Sequence, residues 1–159
     1  MWNKDGMKLS GKYGTWLGRE YELLQTSPID GLMILVQQGG ESRGAEWERH
    51  EHGERFPQPR VSYTLGVPPE EVTNVHAVTA TGELKSGLEV EIVAEDAEGK
   101  FEVVVGDEVP TERKWDLVED HGFHTFHNEP VERSGVYGWL PAEMIHGLKS
   151  QVHWRKGDK

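Results

Sequence analysis

Cysteine is absent from the 159 residues. No disulfide can form, no thiolate can hold a metal, and nothing points to an oxidising compartment. Long apolar runs are absent too. The longest, LMILV at 32–36, is far short of a membrane span, and the opening MWNKDGMKLSGKYG lacks the apolar core of a secretion signal. These absences lead to the expectation of a cytoplasmic chain with no membrane partner. Basic residues are scarce relative to acids, 17 against 28, for a formal net charge of −11. Phosphate recognition draws on Lys and Arg that displace counterions, so the balance argues against nucleic acid and favours a basic protein partner. Catalytic signatures are missing as well. There is no G-x-S-x-G elbow, no HExxH pair and no glycine-rich phosphate loop. The expectation is therefore a protein that is not an enzyme and carries no cofactor.

What is present is an internal repeat. EYEL at 20–23 is matched by EVEI at 89–92, each preceded by a glycine, Gly18 and Gly87. Gly31 and LMILV are matched by Gly99 and KFEVVV at 100–105. VPPEEV at 67–72 is matched by LPAEMI at 140–145, and all three pairs keep their order. The alternating segments suit half-buried strands. SPIDG and EDAEGK are turn sequences, so each half contains a predicted hairpin. Proline has no donor for a strand ladder, so VPPEEV and LPAEMI are read as single 3-10 turns. NVHAVTAT at 74–81 then ends the first half, and QVHW at 151–154 the second. NVHAVTATGELKSG could be one strand serving both. No long 3.6-residue period is present, so no helix beyond about two or three turns is expected.

Short strands, a tight turn and a last strand follow the order of an SH3-like small barrel. GWLPAEMI at 138–145 resembles the SH3 signature of an aromatic, a hydrophobic residue, proline, two variable residues and an aliphatic. That resemblance implies an all-β fold of two tandem SH3-like barrels packed together, 1–80 and 81–159, joined near 78–84. The tyrosine of the SH3 ligand groove falls on Met144 and the preceding asparagine on Glu143, so the barrel is carried over without its peptide chemistry. Two polar inserts interrupt the halves, 37–60 and 106–134. In the second, KWDLVE and GFHTFH look strand-like.

In general character the chain resembles bacterial toxin-immunity proteins: small, acidic, free of cysteine and of catalytic motifs. The implied function is the neutralisation of a basic toxin. The residues expected to carry it are the acids Glu46, Glu48, Glu51 and Glu54 of the first insert, the aromatics Trp47 and Phe56 among them, and Tyr137 and Trp139 beside the second turn. Tryptophan gives a large contact area for little entropy, although a loop tryptophan also folds back on its own domain. One alternative is an SH3-like adaptor that reads a peptide around Tyr137, Trp139 and Pro141. Another is a metal protein or enzyme that uses His121, His124, His127 and Glu129. Their spacing of three suits a helix face, but Gly122 and the phenylalanines argue for extended chain, where His124 and His127 point apart. The other acids on strands are read as solvated faces.

Overall fold

The computed structural model describes residues 1–52 and 61–157. The fold is mostly β, with one α-helix among the described residues. The chain divides into two compact units. Met1, Ser10–Thr79 and Gln151–Lys159 form the first, and Trp2–Leu9 with Ala80–Ser150 the second. QVHW, which the repeat assigns to the second half, thus lies in the first unit. Among the described residues no helix is long and apolar enough to cross a membrane.

The first unit contains β1 (Gly11–Trp16), β2 (Arg19–Leu23), β3 (Met33–Gln38), β4 (Glu48–Glu51), β5 (Val61–Val67), a 3-10 turn at Pro69–Glu71 and the first part of β6 (Val72–Glu83). Its strand order is β4-β5-β3-β2-β1-β6, antiparallel throughout. The alternation of EYEL turns Leu23 and Tyr21 to one face. There Leu23 joins Met33, Leu35, Trp47, Tyr63, Val67, Val72 and Val75 in a buried cluster, with Tyr21 packed against it.

The second unit contains the last part of β6, β7 (Glu89–Glu95), β8 (Lys100–Val105), α1 (Thr111–His121), β9 (His124–Thr125), β10 (Val136–Pro141), a 3-10 turn at Ala142–Met144 and β11 (His146–Trp154), whose end belongs to the first unit. The strand order is β6-β7-β8-β10-β9, and β11 pairs with β6. The first part of β6 pairs with β1 from Val72 to Val78, and its last part pairs with β7 from Thr81 to Glu83.

The repeat read in the sequence recurs as ladder register. Leu23 faces Leu35 as Ile92 faces Val103. Met33 faces Val67 as Phe101 faces Leu140, and Ile34 faces Gly66 as Glu102 faces Trp139. The two hairpin turns use the same device, a glycine at φ 83°, Gly31 in one and Gly99 in the other, a left-handed conformation that other residues adopt at a cost. Both proline segments form the expected 3-10 turns. Pro68 and Pro141 enter at φ −59° and −58°, and the turns close when the N–H of Val72 and of Ile145 donates to the carbonyl of Pro69 and of Ala142.

KWDLVE is not a strand. It lies inside α1, which starts after Pro110 and stops at Gly122, where the Gly122 N–H donates back to the last turn. The helix turns Lys114 and Leu117 inward, one turn apart. The buried stripe thus contains a lysine, and an apolar period cannot reveal it. GFHTFH is only briefly strand: His124–Thr125 pair with β10, and Phe126–Asn128 form a 3-10 turn.

On the buried face of β10, Val136, Gly138 and Leu140 pair with Val105, Val103 and Phe101 of β8. Gly138 lies so close to the Phe123 ring that a Cβ there would overlap it, and Phe123 is itself buried. Gly138→Ala is therefore expected to lower stability by about 2 kcal/mol, the scale of overpacking in a tight core. Gly138→Ala combined with Phe123→Leu, which frees ring volume, should recover part of that in urea denaturation. Equal midpoints for wild type and Gly138→Ala would refute the close approach.

Candidate functional site

The acids and aromatics named from the sequence fall in different surroundings. Glu46 is exposed before β4, and Glu48 and Glu51 are exposed on it. Glu51 is held by Arg49 at 2.6 Å. Glu54 and Phe56 lie outside the described residues. Trp47 is buried in the core of the first unit, its ring 6.0 Å from Tyr21. Of its two readings, the ring folded back on its own domain is the one observed, so it offers no free surface. Tyr137 is buried beneath Phe126, 4.8 Å away, and beside His124, 5.9 Å away. Trp139 is 38% exposed. His121 ends α1, His124 is on β9, and His127 lies in the following turn at φ 54°. Among the described residues no group of three or more His, Asp or Glu is gathered closely enough to hold a metal ion.

Sequence reasoning assigned no particular site to several residues. In the first unit the ring of Trp16 lies 6.1 Å from Tyr21, and its indole N–H donates to Glu71 at 3.0 Å. Arg19 and Arg43 stand over the Tyr21 ring at 5.8 and 5.3 Å. Buried His76 stacks on Tyr13 at 5.7 Å and meets Trp154 at 4.8 Å. The Tyr13 hydroxyl accepts from the Met1 amine at 2.8 Å and donates to the Met1 carbonyl at 2.9 Å. Burial, with the Glu22 and Glu20 carboxylates beside it, pushes that phenol above its usual range.

Two features of the second unit have more chemical potential. The first is Glu102 on β8. It is 1% exposed, and its Oε1 is buried without a hydrogen-bond partner. Burial alone pushes its carboxyl up to about 8. This acid was read as part of a solvated face; it is buried instead. Trp139 pairs with it across β10 and Ala94 across β7, so all three side chains share the sheet face opposite the Phe101–Val103–Val105 core. The ladder of β7 and β8 shifts register between Ile92 and Ala94, directly beside Glu102. Such irregularities re-aim side chains and concentrate near functional sites.

The second feature is the outer side of α1. Trp115 is 41% exposed there. Glu112 precedes it by three residues and Glu119 follows by four, so both lie on its side of the helix. Asp116 and Asp120 are exposed nearby. The charge of the chain is unevenly divided: of 28 acids, 17 belong to the second unit, against 8 of its bases. An exposed indole with carboxylates three and four residues away on its side of the helix presents apolar area and acidic groups together. No protein-family model matches the chain, and no curated protein or solved structure matches it.

Proposed function

We propose that the chain is a non-catalytic cytoplasmic binding protein that neutralises a basic protein, in its concrete form an immunity protein for a bacterial toxin. It is built as two SH3-like barrels. The strand order of each unit supports that architecture: a last strand enters after a 3-10 turn and pairs back, β6 on β1 and β11 on β6. The observation that carries the function is exposed Trp115 among Glu112, Asp116 and Glu119 on the acid-rich unit. Aromatic anchors in a complementary field give affinity and fast encounter with a cationic surface. This moves the expected contact from the first insert, whose Trp47 is buried, to α1.

The test is capture from a lysate of the source organism with low- and high-salt washes, followed by binding measurements on the captured protein. A single stoichiometric basic protein is expected, released by salt. Trp115→Ala should weaken it about thirtyfold, the scale of a hot-spot residue. Glu112→Lys with Glu119→Lys should abolish it, and Glu48→Lys with Glu51→Lys should change it little. A partner indifferent to salt and to the α1 variants would sink the reading.

A second reading, an adaptor that binds a peptide, draws on half-exposed Trp139, two residues before Pro141. Peptide binding lost in a folded Trp139→Ala variant but retained in Trp115→Ala would favour it.

A further inference from the structure

We propose that the sheet face of the second unit opposite the Phe101–Val103–Val105 core holds a site for an organic cation, a guanidinium or an ammonium group, between the carboxylate of Glu102 and the indole of Trp139. The proposed basic partner supplies a source for such a cation; the site itself is argued from this face alone.

A carboxyl that is 1% exposed and has an orphaned oxygen calls for an explanation. Buried polar groups are ordinarily partnered, and a lone buried acid lowers stability. The fold does not require it, because the repeat supplies an internal control. In the first unit the same cross-strand pair, in the same register, is Ile34 and Gly66. There the fold forms with an aliphatic residue opposite a glycine. In the second it has a glutamate opposite a tryptophan. Both departures introduce groups that favour a cation, a negative charge and an aromatic face.

The surroundings leave the carboxylate free for a ligand. Lys100, two residues earlier on the same face of β8, is 4.0 Å from Glu98 instead. Neighbouring strands also bring Glu91, Tyr137 and His124 to this face. Ala94 contributes only a methyl group on one side of Glu102. Trp139, on the other side, is the exposed member of the pair, and it is past this ring that the proposed cation reaches the carboxyl. The incoming cation then pairs with the carboxylate and stacks on the ring. Neutral Glu102 gives up its proton to solvent as the cation enters, so binding well below pH 8 is accompanied by release of nearly one proton, and by less as pH rises past 8.

The experiment is a nuclear magnetic resonance titration that follows the Trp139 indole N–H, assigned with Trp139→Phe. The probes are N-acetyl-arginine amide, N-acetyl-lysine amide and neutral N-acetyl-citrulline amide. At least one cation should shift the Trp139 signal saturably while citrulline does not. Affinity should rise about tenfold from pH 6 to 7, about fivefold from pH 7 to 8 and little beyond pH 9, because only the ionised fraction of Glu102 is competent. Glu102→Gln should weaken binding at least tenfold and abolish that pH dependence, whereas His124→Gln should preserve both. Saturable binding unchanged in Glu102→Gln, or no binding by either cation up to pH 9, would overturn the proposal. Neither result depends on whether a basic protein docks on α1.

Discussion

Glu102→Ile, which installs the residue found at the matching position of the first unit, is expected to make the chain more stable at pH 7 by about 3 kcal/mol from the ionisation penalty alone. Burial pushes the Glu102 carboxyl from its ordinary 4.5 up to about 8. Below the ordinary value both folded and unfolded chains hold the proton, and ionisation costs nothing. Between the two values the unfolded chain releases its proton while the folded chain retains it, so wild-type stability falls as pH rises. Above the higher value the carboxyl is ionised in both states, and the whole penalty, on the order of 5 kcal/mol, is in force. The advantage of isoleucine should therefore grow from pH 4.5 to pH 8 and then level off, on top of a pH-independent gain from the added apolar burial. Urea denaturation of both proteins at pH 4.5, 7 and 9 measures it. An advantage constant across that range would mean that the folded chain carries Glu102 ionised and partnered.

Lys114→Ala should have the opposite effect, a loss of about 3 kcal/mol. Lys114 is fully buried, and its ammonium donates to the carbonyls of Asp107 at 3.3 Å and Ser134 at 3.1 Å. One side chain thereby ties the loop before α1 and the corner before β10 to the helix. Ser134 continues the corner: its hydroxyl accepts from the Phe126 N–H at 3.1 Å and donates to the Gly135 carbonyl at 2.7 Å. Alanine removes both donors and leaves the space of the aliphatic stem empty. Lys114→Met keeps the stem and should lose less than alanine, because it also removes a buried charge. Thermal unfolding of the two variants separates packing from hydrogen bonding. If alanine were tolerated within about 0.5 kcal/mol, the range of surface substitutions, the tie would be of no consequence.

Much of the strand layout was legible, because it rests on local cause. The alternation of EYEL and EVEI, the glycines at 31 and 99 and the prolines at 68 and 141 act within a few residues, and they appear as β2–β3, β7–β8 and the two 3-10 turns. The α1 error has an equally local cause. The helix presents only Leu117 and Lys114 to the interior, and a lysine in the buried stripe removes the signal that a period search needs. Trp47 was ambiguous because nothing in a polar insert tells whether its ring finds the core of its own unit. The burial of Glu102 could have been suspected from the repeat, which aligns it with Ile34 inside an apolar run.

By itself, the amino-acid order determined the β class, the doubled arrangement of hairpin and proline turn, and the acidic balance of the chain. These depend on backbone propensity, side-chain alternation and summed charge, which act locally or simply add. Tertiary structure alone decided which acids are buried, that the insert after β8 folds as a helix with Trp115 outward, and that Glu102 and Trp139 face each other across a ladder. Burial and pairing depend on residues distant in sequence, 37 positions apart for that pair, and no local pattern encodes which strand will lie alongside.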